Sequence, residues 1–129
     1  MTTSLPLHPA SPAMARRFVT EAATKVASGL GGNGALDDIA LITSEVVTNA
    51  LVHARSPVEL TVQSLPDGIR IEVIDADPRP PVMRPAGASD VGGRGMHIVA
   101  TVARTWGVTP LSADAGKSVW FEFGPRPSG

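Results

Sequence analysis

The sequence predicts an α+β fold: a two-layer α/β sandwich with helices packed on one face of a mixed, mainly antiparallel sheet. Two segments with helical apolar spacing come first, and two pairs of segments that alternate apolar and polar residues follow. The order helix, helix, two strands, long loop, helix, two strands lacks the strict alternation of a doubly wound fold. At 129 residues the chain suffices for one domain with a real core and is too short for two ordinary ones.

The opening "MTTSLPLHPASP" is rich in Pro, Ser and Thr without apolar periodicity, so residues 1–11 read as a mobile tail. Ser11-Pro12 then starts a helix, with a hydroxyl as cap and a proline whose missing N–H is not needed there. Ala15, Phe18, Val19, Ala22 and Val26 form its apolar face, and Gly29 stops it. "GLGGNG" is a break before the second helix, with Asn33 as candidate cap and Asp37 and Asp38 near the positive end of the helix dipole. "PVELTVQSL" and "GIRIEVID" alternate around Pro66-Asp67-Gly68 and read as a hairpin. "ADPRPPVMRPAGASDVGG" has no period and is crowded with Pro and Gly, as lids and binding loops are. "RGMHIVATVARTW" returns to helical spacing, and "GVTPL" with "KSVWFEF" reads as a second strand pair. The domain thus spans residues 12–123, and "GPRPSG", residues 124–129, closes the chain as a second tail.

Eleven Lys and Arg against 12 Asp and Glu leave no strong field for nucleic acid or an anionic membrane. No basic recognition helix follows a helix-turn, which disfavours DNA binding. The absence of cysteine excludes a disulfide framework, a thiolate metal site and a thiol nucleophile. No apolar run spans a bilayer and no signal segment opens the chain, so a soluble cytoplasmic protein is expected.

The chemistry concentrates in "LITSEVVTNALVHA", where Glu45, Asn49 and His53 follow one another at intervals of four. Glu45 and Asn49 share a helical stripe with Leu41, Ile42 and Val52, while Ile39, Val46, Val47, Ala50 and Leu51 make the remaining faces apolar. A carboxylate on a helix that is apolar nearly all round needs partners or a pocket. One reading is a hydrogen-bonded pair that staples neighbouring backbone. The other is a polar cleft in which the carboxylate acts as a general base and the amide oxygen as a ligand for Mg²⁺. "GGRGMHIV" sets a glycine turn at a helix N-terminus, which is either a plain connection or a phosphate cradle. It is neither the dinucleotide fingerprint nor the Walker loop. Asp75 ends a strand, where it is either a turn residue or an acceptor for an exocyclic amine. Ser118 opens the last strand and is either a plain strand residue or a hydroxyl facing the same cleft.

Taken in order, Glu45-x-x-x-Asn49-Ala50-x-x-His53, Asp75, Gly93-x-Gly95 and Gly116-Lys117-Ser118 resemble the N box and glycine boxes of the GHKL (Bergerat-fold) ATP-binding proteins. Within that superfamily the short chain, "ARRFV" and "GGRGMHIV…WGV…GKSVWFEF" resemble the anti-sigma-factor serine/threonine kinases of actinobacterial switches, over roughly Ala13 to Phe123. The resemblance implies ATP and Mg²⁺ as cofactors, with Asn49 as the metal ligand and Glu45 as the base that takes a proton from the attacking hydroxyl. It implies Asp75 at the adenine amine, Gly93, Arg94, Gly95 and Met96 around the phosphates, and Ser118 where the family has a threonine near the adenine. His53 is either a further nucleotide contact or a histidine interacting with the helix dipole. Asp77 stands where the first glycine of the Asp-x-Gly-x-Gly box is expected, and it adds a side chain and a negative charge beside the base.

The function implied is that of an anti-sigma regulatory factor that phosphorylates a serine or threonine on a small antagonist protein and holds a sigma factor when the antagonist is not bound. A homodimer is a further implied partner. Arg16 and Arg17 are candidate partner contacts, or else the solvated face of their helix. The alternative is a non-catalytic Bergerat-fold module that sequesters a regulatory partner.

Overall fold

The computed structural model of the chain describes residues 1–26, 33–77 and 103–124. Five strands, β1 (Thr2–Leu5), β2 (Val58–Leu65), β3 (Gly68–Asp75), β4 (Thr105–Pro110) and β5 (Lys117–Phe123), form one sheet in the order β1-β2-β3-β5-β4. Every pairing among the described residues is antiparallel. Two helices, α1 (Ser11–Val26) and α2 (Asn33–Asn49), pack against each other and on one face of this sheet. The α+β sandwich predicted from the sequence is the fold.

The core lies between the helices and the central strands. Leu60 and Val62 of β2, Ile69, Ile71 and Val73 of β3, and Val119, Phe121 and Phe123 of β5 meet Ala15, Val19, Ala22 and Ala23 of α1 and Ile39, Ile42, Val46 and Val47 of α2. Alternation does this: directly paired residues share a face, so Ile69↔Phe123, Ile71↔Phe121 and Val73↔Val119 stack as one apolar band. The other face is polar. There Arg70 pairs with Glu72 and Glu122 and stacks on the Trp120 indole at 4.2 Å, and Arg104 reaches Asp67 at 2.7 Å and Glu122 at 3.3 Å. The hydrogen bond from Arg104 to Asp67 holds this guanidinium even more firmly protonated than usual.

Helix α1 begins at Ser11 as expected, but by a different device. The Ser11 hydroxyl donates to the Pro6 carbonyl at 2.6 Å, and Met14 N–H reaches Ala10 O at 3.1 Å to close the first turn. The β2–β3 connection is the two residues Pro66 and Asp67. Proline fixes a negative φ, so the mirror-image turns usual for tight hairpins are not available to it.

Two expectations require correction. Residues 2–5, read as part of a mobile tail, form the edge strand β1, with Thr2↔Thr61 through Leu5↔Val58 in register and the Met1 amine donating to Val62 O at 2.8 Å. The strand is easy to overlook because only Leu5 is buried, and backbone pairing supplies most of its contacts. Thr105 and Trp106, read as the end of a helix, begin strand β4, with Trp106 opposite Phe121. Helical spacing and a half-buried strand share short apolar runs, so the boundary moved by the few residues that pair with β5. The remainder of that expected helix, the lid beyond Asp77 and the tail from residue 125 lie outside the described residues.

Candidate functional site

Helix α2 is less uniformly covered than its composition implies. Ile39, Ile42, Val46 and Val47 face the core, but Leu41 is 44% exposed and, just past the helix, Val52 is 53% exposed. Glu45 and Asn49 lie on this same stripe, Glu45 half-buried and Asn49 only 8% exposed. The neighbouring hydroxyls are all satisfied within the helix: Thr43 donates to Ile39 O, Ser44 to Leu41 O and Thr48 to Ser44 O. Glu45 and Asn49 are not. Among the described residues neither side chain makes a hydrogen bond or ion pair, and no side-chain polar atom is both enclosed and unpartnered, so the Asn49 amide keeps an opening. The stapling pair allowed by the sequence does not form, and the two groups stand ready for something else.

Directly after Asn49 the helix widens into a π turn, Ala50–Ala54, which ends on Arg55 in the left-handed region at φ 50°. Such turns change the angular phase of the side chains, so His53 no longer continues the stripe of Glu45 and Asn49 at strict four-residue α-spacing. His53 is exposed and has no described partner.

The chain then returns at once to the sheet. Ser56, buried, accepts a hydrogen bond from Ala76 N–H at 3.0 Å and donates to Pro57 O at 2.6 Å. This clasp fastens the segment that follows α2 to the residue after Asp75, so the chain leaving α2 enters the sheet at the Asp75 end of β3.

Asp75 belongs to the helix-covered face, continuing Ile69, Ile71 and Val73. Its Oδ1 accepts from Asp77 N–H at 2.8 Å and from the Lys117 ammonium at 3.1 Å, and the same ammonium donates to Asp77 O at 2.9 Å. Both side chains of the ion pair are nearly fully buried, at 6% exposure for Lys117 and 3% for Asp75. Asp75 Oδ2 accepts no hydrogen bond from any described residue, yet it is not sealed in. Gly116 makes this corner possible: at φ +142° it lies so close to Asp75 that a Cβ there would collide with the Asp75 carbonyl oxygen.

Ser118 does not join this group. It pairs with Ile74 and therefore lies on the opposite face of the sheet from Asp75, where its hydroxyl donates to Glu72 at 2.7 Å. The reason is the period of two: with Val119, Phe121 and Phe123 facing the helices, Lys117 shares their side and Ser118 does not. Lys117 is the residue that sequence reading missed, and that same alternation, counted back from Val119, was the signal for it. Asp77 is part of the corner through its backbone and makes a further contact of its own. Arg16 and Arg17 are exposed on α1. Gly93, Arg94, Gly95 and Met96 lie outside the described residues. A shallow surface cavity of about 310 Å³ touches Asp75, Ile74, Glu59 and Ser4 but neither Glu45 nor Asn49, so it is separate from the open stripe of α2.

Chemically, this end of the sandwich offers an amide oxygen, a carboxylate without a partner and an acceptor-only oxygen at Asp75. No three His, Cys, Asp or Glu side chains cluster as metal ligands among the described residues. A lone neutral oxygen ligand suits Mg²⁺, which keeps several waters and takes the rest of its shell from phosphate. The groups present therefore fit a Mg²⁺-nucleotide.

The family model described as a histidine kinase-like ATPase domain matches residues 5–123, which is nearly the whole chain and includes Leu5 of β1. No curated protein matches the chain at significant similarity.

Proposed function

The chain belongs to the histidine kinase-like (GHKL) ATPase domain family, and from that premise we propose that it is an anti-sigma regulatory factor acting as an ATP-dependent serine/threonine protein kinase on a small anti-sigma-factor antagonist. ATP binding of the GHKL type comes with the family. The finer assignment is carried by one observation: Glu45 and Asn49 stand four residues apart on an open stripe with no described partner, although Asn49 is buried. Unpartnered polar groups at such positions are retained where a ligand completes them.

In this reading Asn49 Oδ1 holds Mg²⁺, and Glu45 receives the proton of the substrate hydroxyl. Asp75 Oδ2 accepts from the adenine amine. When bound, Mg²⁺-ATP would supply the γ-phosphoryl group to the substrate oxygen as its bond to ADP breaks, and the metal would offset the phosphate charge. The phosphate segment is Gly93 to Met96, as the resemblance implies. The exposed Arg16 and Arg17 are the proposed contacts for sigma factor or antagonist, and the protein works in the cytoplasm, with a homodimer as a further proposed state. No helix among the described residues is long and apolar enough to cross a membrane.

Calorimetry with ATP, with and without Mg²⁺, tests the site. Binding that needs Mg²⁺ and weakens at least about tenfold in Asn49→Ala is expected, since a ligand bond to a charged group contributes about 1.5–3 kcal/mol. Loss of phosphotransfer to the antagonist in Glu45→Ala, with ATP binding retained, is expected of the base. Mg²⁺-independent binding, or an Asn49→Ala protein that binds as the wild type does, contradicts the assignment. The second reading, a binding module without phosphotransfer, draws on Asp77. Its N–H and carbonyl are both engaged by Asp75 and Lys117 where the family has a glycine. Nucleotide binding without any transfer to antagonist would select it.

A further inference from the structure

The geometry points to Lys117 as the positioning residue that sets nucleobase selectivity at Asp75, an inference that rests on the nucleotide-binding reading above. Lys117 does not itself present the recognition atom. It donates to Oδ1 of Asp75 at 3.1 Å and to the Asp77 carbonyl at 2.9 Å, and Asp77 N–H turns back to the same Oδ1 at 2.8 Å. One oxygen of the carboxylate is thereby doubly occupied on the inside of the corner. The other, Oδ2, carries no described hydrogen bond and retains an opening.

Two donors hold the carboxylate by Oδ1, so Oδ2 is presented to a base at one fixed place as an acceptor. Without the ammonium, Oδ1 keeps only the Asp77 N–H, and the group can turn and admit a water between itself and the base. The hold decides which base fits. An exocyclic amine, as on adenine, donates to an acceptor-only oxygen. A carbonyl in the same place, as on hypoxanthine, sets acceptor against acceptor and leaves both buried groups unpaired. Lys117 thus makes the corner read an amine and reject a carbonyl. It also holds the carboxylate in one orientation, because Gly116 brings the β5 backbone so close to Asp75 that the lysine starts beside it.

The test is the ratio of dissociation constants for inosine triphosphate and ATP, both with Mg²⁺, measured by calorimetry on the full chain. The two ligands differ in the amine and carbonyl and in the ring N1 that tautomerism couples to them, so a purely structural role for Lys117 moves both constants together and leaves the ratio alone. A wild-type preference for ATP of about tenfold or more is expected, the scale of one unpaired buried polar group. Lys117→Met is expected to bring the ratio to within about threefold of unity, because a water between the freed carboxylate and the base accepts from an amine and donates to a carbonyl equally well. Lys117→Gln drops the charge and is one bond shorter, so its amide does not reach Oδ1 as the ammonium does. It is expected to relax the ratio likewise and provides the measurement if the methionine variant does not fold. An unchanged ratio in a folded variant that still binds ATP overturns the role of Lys117 alone. A wild type that binds neither nucleotide overturns it together with the nucleotide-binding reading.

Discussion

Asp75, Lys117 and Gly116 show how much a single corner can depend on one missing methyl group. Gly116 sits at φ +142°, a region that L side chains rarely adopt, and its α-carbon faces the Asp75 carbonyl. Gly116→Ala therefore adds both backbone strain and a steric clash. A loss of about 1–3 kcal/mol in denaturant unfolding is expected from the strain alone, together with weaker ATP binding because β5 must retreat from Asp75. Stability equal to wild type would mean that the corner relaxes without loss. The same scale governs Asn49 and Glu45, whose significance lies in the partners they lack while Thr43, Ser44 and Thr48 around them are all satisfied.

At the scale of elements, α2 and its π turn separate two tasks. The α-helical part buries Ile39, Ile42, Val46 and Val47 and leaves Glu45 half-buried and Asn49 buried without a described partner, whereas the wider turn leads the chain toward Ser56 and its clasp on Ala76. Strand β1 is a smaller element whose contribution can be measured. Leu5 is 2% exposed and is the only core residue that β1 supplies. Leu5→Ala is expected to lower stability by about 2–3 kcal/mol, in the range for a buried leucine, as read by urea unfolding. A change of a few tenths would return residues 2–5 to the status of a tail.

The whole molecule is a sheet with one apolar and one polar face, and the two faces have different duties. Helices cover the apolar face, Asp75 and Lys117 close one end of it, and Glu45 and Asn49 stand on the last turns of α2, while Arg70, Arg104, Glu72 and Glu122 keep the other face polar. Because the proposed site draws on α2, β3 and β5, a ligand held by all three ties separate elements together and must stabilise the fold as a unit. At a concentration about 100 times its Kd, Mg²⁺-ATP is expected to add about 2.7 kcal/mol to unfolding. Thermal unfolding should show an upward shift in Tm with wild type and a smaller one in Asn49→Ala at the same ligand concentration, about half as large in free energy if binding weakens tenfold. An equal shift in both proteins would place the bound nucleotide elsewhere.

The sequence by itself determined the sandwich, the hairpin at Pro66-Asp67 and the start of α1 at Ser11, and it singled out Glu45 and Asn49 as a candidate pair, because periodicity and local turn chemistry act over a few residues. It left two readings of that pair open, since whether a polar side chain has a partner depends on residues far away in the chain. Tertiary structure leaves both groups without a described partner, and it decides which side of β5 reaches Asp75. Ser118 and Lys117 are adjacent in sequence, yet only the register of β3 with β5 sends one to Glu72 and the other to Asp75, across 42 residues of chain. Strand β1 escaped notice for the same reason: its stability comes from pairing with β2, whose partner residue Thr61 lies 59 positions away from Thr2. Long-range register has no local signature, so a one-residue shift in facing, invisible in composition, changes a hydroxyl into a buried cation at the candidate site.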